Sequence, residues 1–420
     1  MRRTIAAIDI GTTKVSALLA AADGVTARIL GAGIVPAQGM DKGTISDLPA
    51  VTDSIARAVR EAERTSGYRV DRAFVSVGGS HVVSRNARGE AQVSHPLRGV
   101  EQDDVDRALA EARTMSLPPE RQVLHVIPRG FQLDGDVLVR DPVGMSAYRL
   151  QADVHIVTIL ASAARNVTLA ANGAGVEISG LILQALASGE AVLTESERDM
   201  GVALVDIGGG TTDVAVYLNG GIWHTATIAT GGNHITNDLA IGLHCPFEVA
   251  EDIKLRFGRV RFSETNAENR TADFPRSGEM VRVAGFAGGG GRDIPREEVV
   301  AIIEARAEEI LSLVLRELKR SSYDGLLSAG VVLCGGTANL PGLSSLGSEV
   351  LGMPARVVTP GRAEGLTEIV NNTAQATGVG LVLLGMRLPA TADDGSGLSI
   401  WRKMGRLLRG VLPGQVASGR

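Results

Sequence analysis

The 420-residue sequence predicts an α/β protein built on two similar halves, with a compact α+β insertion in the first. Three observations carry that expectation. Residues 201–217, GVALVDIGGGTTDVAVY, set three consecutive glycines between two runs that read as strands. Residues 5–19, IAAIDIGTTKVSALL, repeat the pattern if two glycines are skipped. Asp9 then matches Asp206, Gly11 the glycine run, Thr12 and Thr13 match Thr211 and Thr212, and Lys14 takes the place of Asp213. Such a repeat implies two similar subdomains whose turns face one another across a cleft. Finally, VVLCGGTANLPGL at 331–343 runs a strand into Gly335, Gly336 and Thr337 before another helix begins.

An ordinary hairpin turn needs only one or two residues with positive φ. Three glycines cost roughly 0.5–1 kcal/mol each relative to alanine. Close approach of the backbone to a bulky anion offsets that cost, because successive N–H groups in a tight turn form an anion-binding nest. Gly11 in one turn and Gly208, Gly209 and Gly210 in the other suit this role. Thr12, Thr13, Thr211 and Thr212 add hydroxyl donors, Lys14 adds a cation, and Asp206 and Asp213 offer hard oxygens suited to Mg²⁺ or its waters. The glycine pair at 335–336 lets a flat ligand such as a nucleoside pack against backbone. A plain glycine turn without a ligand explains any one of these signals, but not all three together. The chain has no GxxxxGK[ST] motif, no strand-to-helix GxGxxG, and no HExxH, CxxC or GxSxG. A nucleotide is therefore expected between hairpins rather than at a helix N-terminus.

Composition narrows the class. Apolar residues make up 44% and charged residues 21%, ordinary for a globular chain whose length suggests more than one domain. Aromatic content of 3% and a net charge of −5 argue against a general nucleic-acid binder. Cys245 and Cys334 sit beside apolar residues and read as buried thiols in a reducing cytosol. The apolar run of the N-terminus meets Asp9 too soon for a signal peptide.

The elements follow in order. IAAIDI and KVSALLA are strands about the first turn, residues 49–65 a helix carrying Val51, Ile55, Ala58 and Val59 inward, and AFVSVGG a buried strand. In the insertion, SRNARGEAQVSHPLRG reads as polar and turn-rich, and VEQDDVDRALAEARTM as an amphipathic helix. QVLHVIPRGFQLDG reads as a strand with a turn at Pro128, and ADVHIVTILAS as a further strand. His125 and His155 are expected to be structural. After the second hairpin come two helices, GGNHITNDLAIGL and PFEVAEDIKLRFG, then a polar, β-like stretch at 259–293 and a long helix from Pro295 to about Ser321. The tail begins with a linker, LPATADDGSG at 388–397, spanning roughly 17–19 Å as a coil. LSIWRKMGRLLRGVLP follows, with Leu398, Trp401, Met404, Leu408 and Val411 on one helical face and Leu407 and Leu412 beside it. Arg402, Lys403, Arg406 and Arg409 supply four cations and no acid opposes them, which suits an interfacial helix on an anionic membrane.

The two hairpins and the late glycine-rich strand end, in this order, resemble the actin, Hsp70 and hexokinase superfamily. Within it the chain is similar to the FtsA family of bacterial cell-division proteins over essentially its whole length. ITNDLAIGL, EVAEDIKLRFG, EARAEEIL and CGGTANLPGL carry the likeness, together with the position of the insertion and the C-terminal helix. The resemblance implies an actin-like ATPase fold, two-lobed with four subdomains. Subdomain 1A would take 1–83, 153–200 and 368–387, the inserted 1C-like subdomain 84–152, subdomain 2A 201–240 and 319–367, and subdomain 2B 241–318. The linker at 388–397 and the membrane-targeting helix at 398–413 would follow. It further implies ATP in the cleft, with Asp9 and Asp206 holding Mg²⁺ through water, Gly335, Gly336 and Thr337 at the adenosine, and Glu251 and Lys254 at ribose and adenine. Gln184 falls where relatives position the attacking water; a glutamine orients water but is a poor general base, so weak hydrolysis or none is expected.

The implied partners are the FtsZ C-terminal peptide, further copies of the chain in filaments, later divisome proteins and an anionic membrane surface, with no nucleic acid. The implied location is the cytoplasmic face of the inner membrane at the division site. Arg306, Arg259, Arg261 and Arg296 are expected to be exposed on the subdomain that docks the peptide, with Arg306 foremost. A PilM-like adaptor of pilus assembly and a small-molecule kinase of the same superfamily are the alternatives.

Overall fold

The computed structural model describes residues 3–23, 26–114, 117–135, 137–260, 278–286 and 290–387. The linker and amphipathic segment of the tail, and Arg261, lie outside these residues.

Two sheets face each other across a pair of helices. The first has six strands in the order Glu177–Leu183, Arg72–Val77, Arg3–Ile10, Lys14–Ala22, Ala27–Pro36 and Glu364–Gly365. Its central strands, Arg72–Val77, Arg3–Ile10 and Lys14–Ala22, are covered on both sides and so are buried nearly throughout, whereas Ala27–Pro36 alternates. Ala6, Ile8, Val15, Ala17 and Leu19 pack on the helix Leu48–Ser66, which buries Val51, Ile55, Ala58 and Ala62 at helical spacing. That helix starts where Asp47 accepts the Ala50 N–H and stops at Gly67, whose φ of 76° is the left-handed cap.

The second sheet has five strands, Gly221–Ile228, Thr212–Leu218, Val202–Ile207, Val331–Cys334 and Ala355–Val357. On one face Ala203, Val205, Val214 and Val216 pack with Val299, Ile303, Ile310 and Val314 of the long helix Arg296–Ser321. On the other, Leu204, Ala215 and Tyr217 join Ile5, Ala7 and Leu18 of the first sheet in one core. The helices Gln184–Val192 and Ala376–Arg387 fill that core. They cross so closely that a Cβ on Gly380 would lie 1.7 Å from the Ala187 carbonyl oxygen.

The insertion forms a four-stranded sheet, Val83–Gln92, Arg149–Leu160, Arg121–Leu133 and Val137–Val139, with the helix Gln102–Arg113 on one face. Two expectations are corrected here. Of the polar stretch from residue 84, the part up to Gln92 is strand, paired with Arg149–Val157, and only 93–99 is turn-rich; the strand stands at the sheet edge and keeps much of its length exposed, which suits polar residues. Pro128 makes no turn. Val154 pairs with Pro128 and Asp153 with Gly130, so Arg129 is the extra residue of a bulge that tolerates the missing N–H.

His155 pins the insertion to the second sheet. Its ring nitrogens stand 2.8 Å from Asn86 Oδ1 and 2.9 Å from Thr225 Oγ1, while Ser84 donates to the Thr225 carbonyl at 2.7 Å. Arg129 lies 3.9 Å above the Trp223 ring on the same strand. His125 accepts the Leu183 N–H at 2.9 Å. Burial holds both histidines down to about 3, so they stay neutral at physiological pH. Thr225→Val removes the partner of a buried imidazole nitrogen. It should cost about 1–3 kcal/mol in urea unfolding; an unchanged midpoint would show that the contact contributes nothing.

Candidate functional site

Both hairpins close in the same way. Gly11 N–H donates to the Lys14 carbonyl at 3.0 Å, and Gly208 N–H to the Thr211 carbonyl at 2.9 Å. Ile10 pairs with Val15 and Asp9 with Ser16; Ile207 pairs with Thr212 and Asp206 with Asp213. The two repeats therefore superpose without a gap. Lys14 corresponds to Thr211 and Ser16 to Asp213, correcting the match that skipped two glycines. The shared Thr-Thr pair favours the gapped alignment by identity, but turn geometry is set by the hydrogen bond, not by residue type.

The glycines have a steric cause that sequence reasoning did not reach: the turn tips touch. A Cβ on Gly209 would stand 2.2 Å from Thr13 Cγ2, and one on Gly210 2.6 Å from Thr12 Oγ1. The carbonyls of the second turn are also occupied. Gly232 N–H donates to Gly208 O at 2.9 Å and Asn233 N–H to Gly209 O at 2.7 Å, docking the helix Gly232–Gly242 on the hairpin. Thr337 Oγ1 donates to the same Gly208 carbonyl at 3.0 Å, tying the third glycine signal to the second hairpin.

Three carboxylates converge behind the tips. Asp9 accepts from Ser76 at 2.7 Å, and Gln184 Nε2 stands 3.4 Å from both Asp9 Oδ1 and the Ile10 carbonyl. Asp206 accepts from Ser188 at 2.5 Å and Thr377 at 3.3 Å, and Asp213 from Thr227 at 2.5 Å. Burial pushes Asp9 and Asp206 up, opposed at Asp9 by Lys14 and at Asp206 by the Ser188 hydroxyl. Burial likewise pushes Asp213 up to about 7, with Asp206 and Asp9 adding to it. Lys14 is pushed down by burial against the pull of Asp9 and Asp206, and its ammonium donates to the Ala374 carbonyl. This end of the cleft is buried and holds more acid than base, so an added cation would be welcome.

One cavity of about 390 Å³ brings together Asp9, Gly11, Thr12, Thr13, Lys14, Gln184, Asp206, Gly208, Gly209, Thr211, Asp213, Glu251, Lys254, Gly335, Gly336 and Thr337. Two expected residues stand apart. Gly210 is at the tip and faces another chamber. Thr212 is fully buried within its strand, its hydroxyl donating to the Thr230 carbonyl at 2.8 Å. Glu251 and Lys254 pair at 2.7 Å, and the Thr236 hydroxyl, 2.8 Å from Lys254 Nζ, also donates to Glu251. Gly335 has φ 90°, and a Cβ there would lie 2.4 Å from Asp206 Oδ1, so only glycine lets this strand end approach the carboxylate. Sequence reasoning missed Ser188, Thr377, Ser76 and Asn233. Ser188 follows Gln184 by one helical turn and was findable by that spacing. Thr377 arrives from far along the chain with no local signal.

The arginines differ from expectation. Arg259 is 7% exposed. Arg296 pairs with Glu279 at 2.7 Å, and Arg306 clasps Asp238 at 2.5 and 3.0 Å and Glu309 at 2.6 Å. Acidic residues on neighbouring elements draw in guanidinium groups that helix position alone would leave in water.

Comparison with known proteins follows the same lines. The family described as "Cell division protein FtsA" matches residues 203–380, and "SHS2 domain inserted in FTSA" matches 79–158. The Cell division protein FtsA of Pseudomonas aeruginosa is 37% identical over 400 residues, covering 95% of this chain and 92% of its own. That of Bacillus subtilis is 34% identical over 380 residues, covering 90% and 83%. Among solved structures, a PilM-PilN type IV pilus biogenesis complex matches with TM-score 0.65 at 16% identity, over 91% of this chain and 98% of its own. MreB5 of Spiroplasma citri bound to ADP matches with TM-score 0.53 at 15% identity, over 91% and 96%. These structures share the fold alone. The paired hairpins, the inserted sheet and the full-length relatives agree: the chain has the actin-like ATPase fold and belongs to the FtsA family of cell-division proteins.

Proposed function

We propose that the chain binds Mg²⁺-ATP in the cleft, polymerises, and tethers the FtsZ ring to the cytoplasmic face of the inner membrane. The observation that carries this reading is the opposed pair of hairpins, each with a buried carboxylate, closed at one end by Gly335, Gly336 and Thr337. Turn N–H groups and Lys14 would hold phosphates, and Glu251, Lys254 and the glycine pair would hold the nucleoside. Among the described residues, no group of three or more His, Cys, Asp or Glu could cage a metal by itself. That fits Mg²⁺, which keeps several waters and shares phosphate oxygens while one or two carboxylates orient it. Asp9 and Asp206 would take that task, and Gln184, 3.4 Å from Asp9, would hold a water. Asp206→Ala should weaken Mg²⁺-ATP binding at least tenfold, about 1.4 kcal/mol; unchanged affinity by calorimetry would remove the assignment.

Asp213 adds a pH signature. Its carboxyl, raised to about 7, keeps its proton in the free site below that pH. A cation nearby favours the ionised form, so Mg²⁺-nucleotide binding should release a proton at pH 6 and far less at pH 8.5. Calorimetry in buffers of different ionisation enthalpy reads this directly. Asp213→Asn should reduce the release; equal release by that variant would assign the proton elsewhere.

Membrane attachment rests on the sequence of the tail. Four cations near an anionic surface contribute about 1 kcal/mol each. A filament presenting many such tails gains avidity without new contacts, so polymerisation and attachment reinforce one another. No helix among the described residues is long and apolar enough to cross a membrane. Liposome pelleting of the full chain against a truncation at Pro389 tests the anchor; equal pelleting would exclude it. Docking of an acidic FtsZ peptide at Arg306 would require that guanidinium to exchange Asp238 for a carboxylate of the peptide. Later divisome proteins would meet the inserted subdomain.

A further inference from the structure

We propose that a second chamber, beyond the hairpin tips, binds a free tetrahedral oxyanion of the inorganic phosphate class. The inference rests on the nucleotide reading above. The chamber measures about 200 Å³, where a single water needs about 10–15 Å³. Thr12 and Asn233 line both this chamber and the nucleotide cavity, and Gly210, touching Thr12, completes the partition. The wall between the two spaces is thus a threonine hydroxyl, an amide and a glycine.

The groups facing the chamber are mostly donors. Lys42 brings an ammonium, and Asn233 and Asn237 bring amides. Thr12 Oγ1 already accepts the Gly43 N–H at 3.2 Å, so its own hydrogen is left to donate. His234 Nδ1 accepts the Gly231 N–H at 3.1 Å, which puts the proton of the neutral ring on Nε2, also a donor. Asp41 is the one carboxylate on the lining, next to Lys42 on the short hairpin Met40–Asp41 and Thr44–Ile45. Lys42 sits at the tip with φ 45°, a conformation that asparagine or glycine adopts far more readily. The space opens to solvent at Asp41, Lys42, Asn237 and Phe247, all exposed, and a lysine held there adds a cation to a lining rich in donors, which suits an oxyanion better than a metal ion. Its position next to the phosphate-gripping tips selects phosphate: with a diphosphate filling the main cavity, this chamber offers a phosphate a seat of its own.

The test uses the full-length protein loaded with Mg²⁺-ADP and titrated with inorganic phosphate at constant ionic strength, followed by ³¹P NMR and thermal shift. Saturable binding without loss of ADP is expected. Lys42→Gly, which relieves the positive φ while removing the ammonium, should weaken phosphate at least tenfold, and Asn237→Ala at least threefold, with ADP affinity unchanged in both. Absence of saturable phosphate binding, equal affinity in Lys42→Gly, or phosphate binding only by displacing ADP would each overturn the proposal. If ADP itself fails to bind, the nucleotide reading falls on that measurement alone. Phosphate titration of the nucleotide-free wild type and Lys42→Gly then decides the chamber, a tenfold difference supporting it and equal affinity overturning it.

Discussion

Gly209→Val is expected to weaken Mg²⁺-ATP binding about a hundredfold while leaving the fold intact. The added Cβ alone would lie 2.2 Å from Thr13 Cγ2 and 3.2 Å from Asn233 Oδ1, and the γ-carbons of valine reach further. The clash lies across the cleft and not within a core, so the cheapest relief is for the two hairpins to part. Parting them by even an ångström moves the turn N–H groups and the carboxylates away from a shared ligand. Overpacking of this kind costs about 1–3 kcal/mol, and at the upper end, near 2.7 kcal/mol, that is a hundredfold in affinity. The steric cause is separable from any chemical one. Gly209→Ala with Thr13→Ala removes the atom that the new methyl would strike, so the double variant should bind better than Gly209→Ala alone. Calorimetry over this cycle decides the matter. If Thr13→Ala worsens Gly209→Ala additively, the tips do not constrain each other and the glycines serve only the anion nest.

The outcome of the sequence reading divides along a physical line. The helix Leu48–Ser66 and the long helix Arg296–Ser321 were legible because their burial follows a local period, and the strands about each turn because they are short apolar runs broken by glycine. The edge strand Val83–Gln92 was not, because an edge needs no apolar alternation and its partner lies far along the chain. At the candidate site, Asp9, Gly11, Thr12, Thr13 and Lys14 line one cavity, since a single short turn carries them all. Ser188, Thr377 and Ser76, which hold the carboxylates, come from three other elements that only folding assembles. The arginines were expected to be exposed, but Asp238 on a neighbouring helix captures Arg306, a pairing that no local pattern announces.

Glu190→Leu should be the most destabilising single change, costing about 3–5 kcal/mol in unfolding free energy. Glu190 is fully buried, and three arginines converge on it. Arg198 forks onto Oε2 with both nitrogens at 3.1 Å and donates to the Gly189 carbonyl at 2.8 Å. Arg387 stands 2.7 Å from Oε1 and Arg362 3.6 Å from it, as charge contacts. Removing the carboxylate leaves the buried Arg198 without its counter-ion and three like charges facing one another, which a leucine of similar size does nothing to relieve. Glu190→Gln keeps the shape but not the charge and should lose most of the same stability. Glu190→Leu with Arg198→Met should recover part of it, because an apolar pair removes the desolvated charge on both sides. Urea unfolding of the four proteins measures this; a loss below about 1 kcal/mol in Glu190→Leu would mean that water reaches the arginines and the cluster behaves as a surface pair. The effect should also reach the candidate site, because the helices that carry these charges also carry the hydroxyls that hold Asp206. Ser188 and Glu190 lie on Gln184–Val192, and Thr377 and Arg387 near opposite ends of Ala376–Arg387. Each helix holds Asp206 with one residue and the ion cluster with another. Nucleotide should therefore protect the wild type more than Glu190→Leu.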